Sequence, residues 1–114
     1  MNLTPQNALI LINDGPYGNE RAYNALRLAG ALAKRDSHEV RVFLLGDAAA
    51  CAKAGHKVPT GYYNLERMAS ALTNRGAQIA ACGTCMDARG IAEDELVAGA
   101  FRGTLEQLAD WTEW

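Results

Sequence analysis

The sequence has few of the features that mark several classes of protein. It contains 3 cysteines and 3 prolines in 114 residues, and aromatic residues make up only 7%. An odd, small number of cysteines does not form the framework of a disulfide-stapled secreted domain. No apolar run approaches the roughly 20 residues that cross a membrane, and no basic region precedes the short apolar run near the N-terminus. We therefore expect neither a signal peptide nor membrane association, and a cytoplasmic location.

The charged residues exclude a further class of partner. The chain carries 11 Lys and Arg against 13 Asp and Glu, for a net charge of −2. It has no basic run and no basic residues interleaved with aromatic ones, so direct binding of nucleic acid is not expected. The length suits a single domain over residues 1–114. A domain this small would bury its remaining apolar surface best by self-association.

Short apolar segments alternate with helical patterns along the chain. The first is a continuous apolar run, ALILI, which is typical of a strand buried on both faces. Strands are predicted at 8–12, 39–45, 77–81 and 100–102, and helices at 20–35, 64–75, 92–98 and 105–113. Asn19, Asn64 and Thr104 are predicted N-caps. This alternation predicts an α/β fold with a largely parallel sheet and helices on both faces.

Three loops are expected at the carboxyl edge of this sheet, where parallel sheets gather their binding and reactive groups. They cover residues 13–19, 46–61 and 82–90. The first contains a glycine-rich turn, for which two readings are open: a plain strand-to-helix turn, or one wall of a binding pocket. Its candidate binding residues are Asp14, Gly15, Tyr17 and Gly18. Because the turn lacks the spacing of a nucleotide-binding loop, no nucleotide cofactor is expected.

The third loop contains the most informative motif, Cys82-Gly83-Thr84-Cys85. The motif stands between a strand and a helical turn, whose free N–H groups attract an anion and favour a thiolate. Gly83 has no Cβ, so the backbone can approach a bound sulfur or oxyanion closely. If a helical turn covers 85–89, Arg89 lies next to Cys85 and adds a positive charge. The residues therefore favour a thiolate in this loop.

Four interpretations of the two cysteines stay open on the residues alone. They are a buried turn, half of a zinc site, a thioredoxin-like redox pair, or a nucleophilic thiol that carries sulfur. Zinc needs two further ligands, and the remaining candidates are Cys51, His38 and His56, without a second ligand motif. A metal site is therefore not expected. A thioredoxin-like pair would follow the first strand of its unit, whereas this pair follows the third.

Four longer segments together have a pattern known from one family. They read DGPYGNERAYNALRLA, GDAAACAKAG, PTGYYNLERM and CGTCMDARGI. The chain resembles the DsrE/DsrF-like family, and within it the small YchN-like branch. The resemblance implies a three-layer α/β/α fold with a mainly parallel sheet of four to five strands, and a homo-oligomer that is a trimer or hexamer. It also implies a final apolar strand, which we expect to be missing because the chain ends in ADWTEW.

The resemblance also implies a chemistry for the cysteines, since relatives in this family include sulfur-relay subunits that accept persulfide sulfur on one cysteine. Aligned on Arg89-Gly90, the active cysteine of those subunits falls at Cys82. The implied function is a persulfide carrier, similar to a sulfurtransferase, with a sulfur donor or acceptor protein as partner and no cofactor. Cys85 would resolve the persulfide or tune Cys82. The alternatives are a redox-responsive oligomeric binding protein with a reversible Cys82–Cys85 disulfide and no turnover, and a small-molecule binding module with structural cysteines.

Overall fold

A computed structural model describes residues 4–114 and contains one four-stranded sheet with its helices. The strands are β1 (Gln6–Ile12), β2 (His38–Leu44), β3 (Gln78–Cys82) and β4 (Ala100–Gly103). The α-helices are α1 (Arg21–Ala33), α2 (Leu65–Asn74), α3 (Gly83–Ala88) and α4 (Leu105–Thr112). Two short 3₁₀ helices cover Gly46–Ala52 and Glu93–Glu95. The predicted α/β fold with a parallel sheet is confirmed.

The strands lie side by side in the order in which the chain makes them, β1-β2-β3-β4, and all are parallel. β3 therefore lies inside the sheet, between β2 and β4. Its last residues pair with the end of β4, Ala81 with Arg102 and Cys82 with Gly103. This register brings together residues that are about twenty positions apart in the sequence.

The main core lies on one face of the sheet, under α1, α2 and the 3₁₀ helix at 46–52. Alternate strand residues point into it, as the pleat of a β-strand requires. They include Val42, Leu44 and Ile79, and they meet Leu26, Leu65, Leu72 and Met86, all of them buried. These apolar residues are spread over five segments of the sequence, and their common burial fixes the sheet against its helices.

The second face of the sheet has a thinner cover, provided by α4. Its buried cluster consists of Phe43, Ala80, Cys82, Leu108 and Trp111. The prediction that the ALILI strand is buried on both faces was wrong, because β1 is an edge strand that extends beyond this cover. Its residue Leu9 is half-buried, and its residue Leu11 is 45% exposed. The layers are therefore α/β/α, with one full outer layer and one partial one.

Two of the three predicted N-caps are confirmed, and one predicted helix is not. The N-cap of α1 is Glu20 and not Asn19, although the Asn19 side chain accepts the Arg21 N–H at 2.9 Å. The side chain of Asn64 accepts the Arg67 N–H at 3.1 Å, and that of Thr104 accepts the Gln107 N–H at 3.1 Å. The helix predicted at 92–98 was wrong, because only Glu93–Glu95 forms a 3₁₀ turn. Leu96 and Val97 are buried and extended instead, since the Val97 N–H donates to the Ala52 carbonyl and Leu96 pairs with Lys53 in an antiparallel bridge.

No helix within residues 4–114 is long and apolar enough to cross a membrane.

Candidate functional site

Cys82 is the last residue of β3 and directly precedes α3. Its backbone is extended, and the helix begins at Gly83, so the thiol stands at the carboxyl edge of the sheet. The residue is 6% exposed and packs on the second face, against the cluster of Leu108 and Trp111. β3 thus fixes the position of the sulfur, and α3 supplies hydrogen-bond donors beside it.

The surroundings of Cys82 stabilise its thiolate. Burial raises the pKa of the Cys82 thiol, whereas hydrogen bonding with the side chains and the backbone of Cys85 and Thr84 lowers it. The hydrogen bonds outweigh burial, so this pKa lies below its ordinary value. Thr84 Oγ1 lies 3.3 Å from Cys82 Sγ. A thiolate is the nucleophilic form of cysteine, and the site therefore favours nucleophilic sulfur chemistry.

The sulfur of Cys85 is held by the turn that follows β2. The Gly46 N–H donates to Cys85 Sγ at 3.1 Å. Gly46 has a φ of +57°, a left-handed conformation that glycine adopts without strain, and this turn directs its N–H toward the sulfur. Cys85 is half-buried, and it contacts the apolar clusters on both faces of the sheet. Both thiols of the motif are free, as is Cys51.

Arg89 lies beside Cys85, as the spacing predicts, but its guanidinium does not bind the sulfur. Nη1 donates to the Cys85 carbonyl oxygen at 3.0 Å, while Nε and Nη2 donate to Asp47 at 2.9 and 2.7 Å. The ion pair with Asp47 ties α3 to the 3₁₀ helix at 46–52. Arg89 thus anchors the loop, and its role as a binding residue stays a prediction.

A second cation beside the thiol motif is Arg102, which sequence reasoning missed. Its guanidinium binds Asp87 of α3 through two hydrogen bonds, of 2.7 and 2.9 Å. It lies over Gly83, where an added Cβ would come within 2.7 Å of its Cζ and Nε. Asp87 raises the pKa of Arg102 most, and negative charge at Cys82 adds to that effect. No local pattern in the sequence marks Arg102, because its place beside Gly83 follows from the parallel pairing of the ends of β4 and β3.

The glycine-rich turn after β1 is divided between two neighbourhoods. Gly15 lies against Asp47, with 3.5 Å from its would-be Cβ to Asp47 Cβ, and so adjoins the thiol loop through the Asp47–Arg89 ion pair. Asp14 pairs with Arg21 at 3.3 Å. The binding roles of Gly15 and Asp14 remain predictions.

Tyr17 faces away, toward the segment that leads into α2. Its hydroxyl lies 2.7 Å from His56 Nδ1 and accepts the Leu65 N–H at 3.2 Å. Its ring stacks on that of Tyr63. The neighbouring Gly18 is exposed and has a φ of +106°. The predicted binding roles of these two residues also remain predictions.

The loop at 53–64 forms a groove of its own, of about 430 Å³, between residues 56–62 and the start of α2. A second groove, of about 340 Å³, lies between α1 and α2. Neither of these grooves is lined by Cys82 or Cys85. The thiols lie instead at a shallow edge of the sheet.

Cys51 is a buried thiol in the 3₁₀ helix at 46–52, with no exposed surface. Burial raises its pKa to about 12, although a backbone hydrogen bond opposes the change. No group of three or more Cys, His, Asp or Glu side chains among residues 4–114 is arranged to hold a metal ion. Cys51 is therefore a structural residue, separate from the CGTC motif.

The arrangement can be compared with known proteins. The sequence profile of the DsrE/DsrF-like family matches residues 6–114. This chain belongs to the DsrE/DsrF-like family. It is 41% identical over 108 residues to Protein YchN of Escherichia coli, which covers 94% of this chain and 92% of YchN. An uncharacterized protein of Methanopyrus kandleri is 35% identical over 104 residues, which covers 91% of this chain and 84% of that protein.

Solved structures agree with this membership. The crystal structure of the E. coli YchN protein matches with a TM-score of 0.89 at 39% identity, covering 95% of this chain and 92% of that one. A protein of unknown function from Methanobacterium thermoautotrophicum matches with a TM-score of 0.70 at 15% identity, over 94% of this chain and 91% of that one. The second match shows a shared fold. The DsrE/DsrF-like fold is thus common to this chain and to YchN.

Proposed function

We propose that this protein is a persulfide carrier of the sulfur-relay type, in which Cys82 accepts the sulfur. The observation that carries the proposal is the place of Cys82 at the carboxyl end of β3, where Thr84 Oγ1 lies 3.3 Å from its sulfur and hydrogen bonding lowers its pKa. Membership of the DsrE/DsrF-like family supports it, because the family is commonly linked to sulfur relay. The proposal assigns the activity to the cytoplasm, where thiols are kept reduced.

The chemistry needs no cofactor and no external oxidant. The Cys82 thiolate attacks the outer sulfur of a persulfide on a donor protein, so a new S–S bond forms at Cys82 and the donor's S–S bond breaks. The donor cysteine leaves as a thiolate with the bonding electron pair, and the sulfane sulfur now belongs to Cys82. The N–H groups of Thr84 and Cys85 and the Thr84 hydroxyl stabilise the negative charge at each stage.

Cys85 offers a route for releasing the sulfur. In its thiolate form it would attack the inner sulfur of the Cys82 persulfide, forming a Cys82–Cys85 disulfide and expelling hydrosulfide. The place of Cys85 on the first turn of α3, three residues after Cys82, supports this role. An acceptor protein that attacks the outer sulfur directly would leave Cys85 as a tuning residue. The Gly15 end of the turn after β1 is proposed as a neighbouring wall of the site.

The test is sulfur uptake from a cysteine desulfurase and free cysteine, read by intact mass. The wild-type protein and the Cys51→Ser variant are expected to gain one sulfur atom, whereas Cys82→Ser gains none. The Cys85→Ser variant is expected to gain sulfur and to retain it longer, because it cannot form the disulfide. If wild type gains no sulfur, or Cys82→Ser gains as much as wild type, the proposal is wrong. A disulfide that forms reversibly without any sulfur uptake would favour the redox-responsive alternative.

We also propose that the protein acts as a homo-oligomer, a trimer or hexamer, that buries the open part of the second sheet face. The half-buried Leu9 and the exposed Leu11 continue the apolar surface of that face beyond the cover of α4. Apolar side chains in a row at the edge of a sheet are a common basis for association.

Leu11→Glu is expected to convert the oligomer into monomers, because a carboxylate cannot be buried there without a partner. The matched control is Leu28→Glu on α1, since Leu28 is exposed to a similar degree, at 53% against 45% for Leu11. Light scattering coupled to gel filtration gives the mass of each variant. A monomeric wild type, or a Leu11→Glu protein that stays oligomeric, would contradict the proposal.

A further inference from the structure

Arg102 reaches the thiol site from a different strand. It is the third residue of β4, and its backbone pairs in register with Ala81, the neighbour of Cys82. Its N–H donates to Glu93 Oε2 at 3.1 Å, which fixes the strand end. The guanidinium then extends along α3 and is held by both carboxylate oxygens of Asp87. Two-point binding of this kind orients the plane of the guanidinium as well as its charge.

Gly83 makes room for this cation. An added Cβ at Gly83 would lie 2.7 Å from Arg102 Cζ, 2.7 Å from Nε and 2.9 Å from Nη2, well inside van der Waals contact. The absence of a side chain therefore lets the guanidinium cover the residue that follows Cys82. Asp87 occupies Nη1 and Nη2, and no protein group within residues 4–114 accepts from the Nε–H. The Arg102 side chain is 41% exposed, so an anion from solvent can reach it.

We propose that Arg102, held over Gly83 by Asp87, is the positioning residue that keeps the Cys82 sulfur anionic and gives the site its preference for anionic reaction partners. The inference rests on the proposed role of Cys82 as the nucleophile. The class of partner that it selects is a persulfide whose molecule also carries an anionic group, such as a carboxylate. That group would pair with the free Nε–H edge of the guanidinium while the outer sulfur of the persulfide faces Cys82.

The charged groups around Cys82 favour this assignment over the alternatives. α3 contributes Cys85, which donates a hydrogen bond, and Asp87, whose charge is paired with Arg102. α4 contributes apolar side chains, Leu108 and Trp111. Arg89 donates from all three of its nitrogens, to Asp47 and to the Cys85 carbonyl. Arg102 uses only Nη1 and Nη2 for Asp87, so within the described residues its Nε–H is left for an anion beside Gly83.

The experiment compares alkylation of Cys82 by iodoacetate and by iodoacetamide, two reagents of nearly equal size that differ in charge. In both reactions the thiolate attacks the CH₂ carbon, a C–S bond forms, the C–I bond breaks and iodide leaves with the electron pair. The ratio of the two rates, relative to the ratio for free cysteine, reports the local charge. The pH at which the iodoacetamide rate is half-maximal reports the thiolate itself.

Arg102→Gln is expected to lower the iodoacetate-to-iodoacetamide ratio by about three- to tenfold and to move the half-maximal pH upward. Arg102→Lys keeps the charge but loses the two-point geometry, so an intermediate ratio is expected. Gly83→Ala leaves Arg102 in the chain but displaces its guanidinium, and should change both readouts in the same direction as Arg102→Gln. The matched control is Arg75→Gln, directly after α2. It is expected to keep the iodoacetate-to-iodoacetamide ratio of the wild-type protein.

An unchanged ratio and an unchanged half-maximal pH in Arg102→Gln would overturn the inference, and so would a larger effect of Arg89→Gln. A circular dichroism spectrum of each variant establishes that the fold is retained. The alkylation test uses no persulfide, so its result is independent of sulfur uptake. If the alkylation ratio depends on Arg102 but the protein takes up no sulfur, only the proposed function is refuted. If the protein takes up sulfur but the alkylation ratio does not change in Arg102→Gln, only this inference is refuted.

Discussion

Replacing Trp111 with alanine is expected to lower the free energy of unfolding by about 3–5 kcal/mol. Trp111 is 7% exposed and is the largest side chain with which α4 covers the second face of the sheet. Its ring stands edge-on to Phe43 and Phe101, with centroid distances of 6.0 and 6.1 Å. The Arg41 guanidinium also lies 5.3 Å from the Trp111 ring centroid. Truncation would remove these contacts together and leave a cavity beside β2.

Urea unfolding followed by far-UV circular dichroism measures this loss, at one fixed protomer concentration because association affects the apparent stability. The matched control lies on the same helix: Leu105 is 66% exposed, and Leu105→Ala is expected to change the stability by less than about 0.5 kcal/mol. A loss of less than about 1 kcal/mol for Trp111→Ala would mean that α4 adds little to the fold. Cys82 packs in the same cluster, so the variant should also loosen the thiol site.

The three cysteines are expected to differ in reactivity by orders of magnitude in the folded protein. Burial raises the pKa of Cys51 to about 12, against about 8.5 for an ordinary thiol. At neutral pH its thiolate fraction is therefore about a thousandfold below that of an exposed cysteine. The pKa of Cys82 lies below the ordinary value, because hydrogen bonding at its sulfur outweighs burial. Its reaction should reach half-maximal rate at a lower pH than that of an unperturbed thiol.

Timed alkylation with iodoacetamide, quenched and read by peptide mass spectrometry, distinguishes the sites. Trypsin cleavage at arginine leaves Cys82 and Cys85 on one fragment, residues 76–89, so fragment ions must separate the two. Cys51 is expected to stay unmodified until denaturant is added, which serves as the internal control. Modification of Cys51 at the rate of Cys82 in the native protein would contradict the buried position of the 3₁₀ helix at 46–52.

Much of the fold could be predicted from local patterns. The continuous apolar run of β1 and the caps at Asn64 and Thr104 were predicted because each depends on neighbouring residues. The segment at 96–97 was mispredicted as helical, since its conformation is set by pairing with residues 52–53, far away in the sequence. β3 was a weak strand by composition, with two alanines in five residues. It forms because its backbone lies between β2 and β4, both of which supply hydrogen bonds.

By itself the sequence determined the family, the order of strands and helices along the chain, and the position of the CGTC motif after the third strand. These follow from motifs and periodicity, which are local properties of the chain. Only the tertiary structure decided which cation lies over Gly83, beside Cys82. Spacing along one turn pointed to Arg89, but Asp47 binds its guanidinium. Arg102 lies there because parallel pairing sets the end of β4 beside the end of β3, a proximity that sequence spacing does not encode.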